Sequence, residues 1–190
     1  LIAYEAGYRG QPSHNLSVSV SAYYNVYDDL RTVESFTPAV FPLEIRNGMR
    51  GETYGVEAWA SWQVRAGWRL TAGANALRKD LSLDLGGRDI FGGNFAGNDP
   101  SYQLSLRSHM SLTPTLDLDI DLRSIDDLTS PAVAAYTELG ARLAWRVTDQ
   151  VELAVIGDNL LNDQHLEFVN GSVPRREIPR SVRASLRWGF

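Results

Sequence analysis

The sequence predicts an all-β fold, an antiparallel sheet whose strands cross a membrane as part of a β-barrel. Three observations carry this. Apolar and polar residues alternate with period two along almost the whole chain, the signature of strands with one wet and one dry face. No stretch shows a convincing helical period. The connections alternate between short and long.

Tyr4, Ala6 and Tyr8 open the alternation, against Glu5, Gly7 and Arg9. Leu16, Val18, Val20, Ala22, Tyr24 and Val26 form the dry side of a second strand. A third sets Tyr54, Val56, Ala58, Ala60, Trp62 and Val64 against Glu57, Trp59, Ser61, Gln63 and Arg65. The fourth carries Trp68, Leu70, Ala72 and Ala74, and the fifth Tyr102, Leu104, Leu106 and Met110 opposite Gln103, Ser105, Arg107 and His109. In the sixth, "TLDLDIDLRS" from Thr115 to Ser124, leucine and isoleucine alternate with Asp117, Asp119, Asp121 and Arg123. The seventh sets Leu139, Ala141, Leu143 and Trp145 against Glu138, Gly140, Arg142 and Arg146. Val151, Leu153 and Val155 begin the eighth, and Val182, Ala184, Leu186, Trp188 and Phe190 close the chain.

"RGQPSHN", "RAG", "LTPT" and "VTDQ" supply the Gly, Pro, Asn and Asp of tight turns. Long connections are expected at 28–50, 81–100, 126–133 and 161–179. Short turns at one end and long loops at the other are the build of an outer-membrane barrel. Soluble sheets also alternate, but these strands offer about 9 to 11 alternating positions where a soluble strand has about five or six. Their polar face is also dense in charge, which needs water or pairing. Lipid on one side and an aqueous lumen on the other satisfy both faces. Trp62, Trp68, Trp145 and Trp188 fall at strand ends near the short turns or the C-terminus, as an interfacial girdle requires, with Tyr24 and Tyr102 for the opposite rim.

Composition narrows the function. The 190 residues are 44% hydrophobic and 22% charged, with net charge −5 and mean hydropathy −0.22. No run approaches the roughly 18 apolar residues of a membrane helix. The acidic balance argues against nucleic acid, and the absence of cysteine removes disulfides and thiolate metal sites. There is no nucleophile elbow, metalloprotease helix or phosphate loop, so no catalytic residue is expected. His14, His109 and His165 are scattered over a turn, a strand and a long loop, so no metal site is expected among them. Same-face residues of a strand stand ~6.6 to 7 Å apart, so Asp117, Asp119 and Asp121 cannot converge on one calcium ion, whose ligands lie at about 2.3 to 2.6 Å. They are expected instead to form a lumen wall with Arg107, Arg123 and Arg142.

Several stretches resemble the TonB-dependent outer-membrane receptors. They are "YEAGYRG" at 4–10, "AYYNVYDDLRTVE" at 22–34, "NGMRGETYGVEAWASWQ" at 47–63, "GNDPSYQLSLRS" at 97–108, "DNLLNDQHLEF" at 158–168 and "IPRSVRASLRWGF" at 178–190. The resemblance covers residues 1–190 as a single segment, the C-terminal part of the receptor's barrel. It implies about nine strands of a 22-stranded barrel, without its plug domain. It also implies TonB-energised uptake of a scarce nutrient in a Gram-negative outer membrane, a ferric siderophore first, cobalamin or another nutrient as alternatives. The implied partners are outer-membrane lipid and lipopolysaccharide, the small-molecule ligand, the TonB complex through an N-terminal region upstream of Leu1, and the barrel-assembly machinery. That machinery would read Trp188 and Phe190. No cofactor is implied. Arg88, Phe91, Phe95, His165, Arg175 and Arg176 on long loops are the candidate ligand contacts. Two other readings remain open at this point: a small autonomous outer-membrane barrel without energised transport, and a soluble all-β binding or carbohydrate-active domain.

Overall fold

The computed structural model describes residues 1–35, 41–91, 99–169 and 176–189. It contains strands β1 (Ile2–Ser13), β2 (Leu16–Ser35), β3 (Leu43–Arg65), β4 (Trp68–Leu83), β5 (Tyr102–Thr113), β6 (Leu116–Ile125), β7 (Leu128–Thr129), β8 (Ala132–Val133), β9 (Tyr136–Arg146), β10 (Val151–Asp158), β11 (Gln164–Leu166), β12 (Glu177–Pro179) and β13 (Ser181–Trp188). Nine of these form one sheet in the order β1-β2-β3-β4-β5-β6-β9-β10-β13, every pair antiparallel. Two small hairpins, β7–β8 and β11–β12, sit in long connections. No helix occurs among the described residues. The sheet does not close: β1 and β13 are its two edges and do not pair with each other.

Register fixes the faces. Ala72, Leu106, Leu122 and Leu139 are successive cross-strand partners on one face. On the other, Thr71, Arg107, Asp121 and Gly140 are successive partners. All substantial strand contacts are between sheet neighbours, so no second protein layer covers the aliphatic side among the described residues. Leu106 is 43% exposed, Val155 54% and Leu186 65%. Such a face is unfavourable in water, at ~25 cal/mol per Å² of apolar surface, and stable against hydrocarbon.

Aromatic rows bracket this face. Trp62, Trp68, Trp145 and Trp188 all lie on it, opposite Leu16, Met110, Leu116 and Val151 respectively. Toward the other end Tyr4, Tyr24 and Tyr54 are cross-strand neighbours with ring centroids 6.3 Å apart in each pair. From Tyr54 to Trp62 a strand rises about 27 Å, or ~20 Å of height at a barrel tilt of ~40°, near the ~25 Å apolar band of such proteins. Beyond Tyr54 and Ala76 the same face turns charged, with Glu52, Arg50, Arg78 and Asp80.

One connection departs from expectation. Most of the long loop expected at 28–50 is strand: β2 and β3 continue as a hairpin, paired from Leu30↔Met49 to Ser35↔Leu43. Irregularities at Tyr27/Leu30 and Leu30/Thr32, with Asp29 at φ 60°, throw the alternation out of phase and hide the strand from a period-two reading. This hairpin buries Thr32, Glu34 and Met49.

Candidate functional site

The polar face carries a lattice of ion pairs formed by cross-strand neighbours. Arg107 Nε donates to Asp121 Oδ1 at 2.5 Å, across the β5–β6 pair that places them opposite each other. His109 Nδ1 lies 2.6 Å from Asp119 Oδ1. Arg142 donates to Asp119 Oδ2 at 3.3 Å and to Glu152 Oε1 at 2.6 Å, joining β6, β9 and β10. Arg183 pairs with Asp158 at the β13 edge. Asp117 faces Ser111 and Ala144 instead of an arginine. The Arg107 and Asp121 side chains are 72% and 51% exposed, and pairs that wet contribute ~0–1 kcal/mol each. Their main effect is to neutralise a crowded wall in place.

The same face is hollowed. A depression of ≈ 730 Å³ is lined by Trp59, Arg107, Asp121, Arg142 and Asp158 among others. A second of ≈ 470 Å³ adjoins it, with Arg9, Glu57, Trp59, Asn75 and Arg123. Trp59 borders both. Alone among the tryptophans it lies on the polar face, over Gly73, its cross-strand partner.

At the outer end of this wall the segment after β10 folds back over the sheet. Asn159, fully buried and at φ 51°, donates from Nδ2 to the Ile178 carbonyl at 2.9 Å. Asn162 Nδ2 donates to the Thr137 carbonyl at 2.7 Å and to Asn159 Oδ1 at 3.0 Å, and the Leu160 amide donates to the Leu139 carbonyl. The "NLLN" stretch is thus a clasp. It delivers His165 and Glu167 to the tops of β6 and β9. His165 stacks on Tyr136 with centroids 4.2 Å apart and planes 22° from parallel. Arg123 Nη2 donates to Glu138 Oε2 at 2.7 Å and also to Glu167, with its guanidinium 5.6 Å from the Tyr136 ring centre. Burial pushes the Glu167 carboxyl up, but the hydrogen bond and charge of Arg123, with smaller help from His165 and Tyr136, outweigh it and hold Glu167 below its ordinary 4.5.

The loop candidates separate. Arg88 and Phe91 are exposed on the β4–β5 connection. Between them buried Asp89 accepts hydrogen bonds from the Val33 and Phe91 amides and pins that connection to β2. Arg176 is exposed just before β12, whereas His165 is buried at 9% exposure. The sheet order keeps the β4–β5 and β10–β13 connections apart. Phe95, Arg175 and Phe190 lie outside the described residues. Trp188 sits on the aliphatic face of β13, opposite Val151. Sequence reasoning passed over Tyr136, Asp89 and Asn159 as site-forming residues. Only the Asn-x-x-Asn spacing straight after a strand could have flagged the last.

A single-layer antiparallel sheet with an uncovered aliphatic face and a hollow, charge-paired one is a section of outer-membrane β-barrel wall. Over residues 2–160 the sequence matches the family described as TonB dependent receptor-like, beta-barrel, and the chain belongs to that family. The pesticin receptor of Yersinia pestis is 23% identical across 100% of this chain and 29% of its own length. In fold, the siderophore receptor PiuA of Acinetobacter baumannii has a TM-score of 0.79 at 18% identity, over 97% of this chain and 28% of that one. The ferric yersiniabactin uptake receptor FyuA of Yersinia pestis has a TM-score of 0.75 at 20% identity, over 99% of this chain and 29% of that one. The chain therefore spans under a third of the length of these relatives. The family and these relatives are receptors rather than enzymes, and they place the chain in the outer membrane of a Gram-negative bacterium.

Proposed function

We propose that this chain forms part of the barrel of a receptor that imports a ferric siderophore through TonB-energised transport. The observation that carries the reading is the hollow, ion-paired inner face set beside an uncovered aliphatic outer face, in a chain of the TonB-dependent receptor family. The names of the two structural relatives, a siderophore receptor and a ferric yersiniabactin uptake receptor, favour an iron chelate over cobalamin. The open edges of β1 and β13 call for further strands, because an unpaired sheet edge has no partner for its backbone groups in hydrocarbon.

On this reading the wall of Arg107, Asp119, Asp121, Arg123 and Arg142, with Asp117 beside it, lines the lumen and meets water or the plug. The exposed Arg88, Phe91 and Arg176, with Phe95 and Arg175 on the same connections, supply charge and aromatic surface for an anionic chelate. The proposed contacts beyond the ligand are lipid and lipopolysaccharide on the outer face, and the assembly machinery at Trp188 and Phe190. The TonB complex is reached through the receptor's N-terminal region. The test is growth of a deletion strain under iron limitation on a panel of ferric siderophores, with cobalamin uptake in parallel. Loss of growth on one iron complex, reproduced by deleting TonB, is expected. Full growth on every complex removes the siderophore reading.

A further inference from the structure

We propose that Glu138, His165 and Glu167 form a binding site for one divalent transition-metal ion of the Zn²⁺ class at the outer end of the barrel wall. Each residue offers one ligand atom, and these atoms lie within 4.8 Å of one another. They come from two parts of the chain: Glu138 from β9, His165 and Glu167 from the connection folded over it.

The histidine points to a ligand independently of the acids. Its side chain is 7% exposed, yet neither ring nitrogen has a hydrogen-bond partner among the described residues. Glu167 Oε1 lies 3.8 Å from Nε2, too far for a hydrogen bond. Buried ring nitrogens are normally satisfied, and an orphan asks for an explanation such as an ion. Tyr136 covers one face of the ring, and Nε2 stands 3.8 Å from the Glu167 carboxylate.

The donor set selects the metal. One imidazole nitrogen with two carboxylate oxygens suits Zn²⁺ and its first-row neighbours, whereas calcium and magnesium take oxygen alone. With ligands at about 2.0–2.2 Å, tetrahedral geometry sets donors about 3.4 Å apart, so the 3.8 Å between His165 and Glu167 needs little closure. Arg123 supplies positive charge to both acids in this structure. An incoming ion takes over that role, and the guanidinium, 46% exposed, turns outward. Three protein ligands leave the fourth position to water or an incoming donor. The ion clasps the β10–β13 connection to the wall. This site uses a single histidine; His109 is engaged with Asp119 on the same wall and His14 lies in the β1–β2 turn.

The test uses the intact protein in detergent, stripped with chelator and titrated with Zn²⁺ by calorimetry and with Co²⁺ by visible absorption. One ion per chain is expected, with a Co²⁺ spectrum of low coordination number. His165→Phe keeps the stack on Tyr136 and removes the nitrogens; Glu138→Gln keeps the shape and removes the charge. Each is expected to weaken binding by more than about tenfold, with barrel assembly verified by heat-modifiable gel mobility. Arg123→Gln, which removes the competing cation, is expected to bind at least as tightly as wild type. Absence of stoichiometric binding at micromolar metal overturns the proposal, as does equal binding by wild type and His165→Phe. These readouts need no transport, so they stand or fall separately from the siderophore reading.

Discussion

The Tyr23 hydroxyl fills the space that a side chain at Gly55 would take. A Cβ at Gly55 would lie 2.5 Å from Tyr23 Oη and closer still to the Ala76 carbonyl of the next strand. Tyr23 and Gly55 are direct cross-strand partners, an aromatic covering a glycine in the sheet. The "YGVE" stretch owes its glycine to this packing. Gly51 is similar: at φ 154°, a Cβ there would meet Leu81 Cα at 2.7 Å and the Asp80 carbonyl.

Gly55→Ala and Gly51→Ala are therefore expected to destabilise the barrel by ~1–3 kcal/mol through overpacking against backbone. Gly140→Ala is the control, since its nearest neighbour would be at 3.8 Å. Folded fraction by heat-modifiable gel mobility checks this, and equal behaviour of Gly55→Ala and Gly140→Ala would contradict the packing account.

The two faces are expected to respond oppositely to charge. Leu106 lies midway between Tyr102 and Met110 on the aliphatic face, while Ser105 points to the polar one. Leu106→Arg should cost ~2–4 kcal/mol, the penalty for arginine near the bilayer midplane. Ser105→Arg should stay within ~0.5 kcal/mol, as for a surface change. Denaturant refolding into lipid vesicles measures both; a larger cost for Ser105→Arg would mean the faces are assigned the wrong way round, and equal costs would mean that neither face meets lipid.

Asn159 tests the clasp. Asn159→Gly keeps the left-handed backbone at φ 51° but loses the bond to the Ile178 carbonyl. Asn159→Leu loses both the backbone preference and the donor to the Ile178 carbonyl, at about 1 kcal/mol for the hydrogen bond alone. Hydrogen exchange over Gln164–Leu166 should quicken in the order wild type, Asn159→Gly, Asn159→Leu. Unchanged exchange in Asn159→Leu would show that the connection is held by something else.

Arg142 bridges Asp119 and Glu152, with side chains between 23% and 33% exposed. A double-mutant cycle on Arg142→Met and Glu152→Gln should give a coupling of ~0.2–1 kcal/mol, shrinking as salt is added. A coupling indifferent to salt would mean that packing rather than charge joins them.

Much of the wall was legible in the residues. Leu116, Leu118, Ile120 and Leu122 share a face because successive side chains of a strand point opposite ways, whatever they pair with. The short turns and the position of Trp62, Trp68 and Trp145 follow from the same local rule. The extension of β2 and β3 was not legible, because the irregularities around Asp29 shift the phase and a loop and a bulged strand then read alike. The site at Arg123, Tyr136, Glu138, His165 and Glu167 was legible only in pieces. Arg123 stood out as a wall charge, Glu138 only as a polar-face residue of its strand and His165 as a loop residue, with nothing in the chain to join them.

By itself the sequence determined which side of each long strand is dry, that about nine such strands make up the wall and where its tight turns fall, since each depends on a few neighbouring residues. The tertiary structure alone decided that Arg107 meets Asp121, that Asp117 meets no arginine across the sheet, and that His165 is buried against Tyr136. Those outcomes depend on strand register and on where a distant connection lands. Both are fixed by contacts between residues far apart in the chain, which no local pattern encodes.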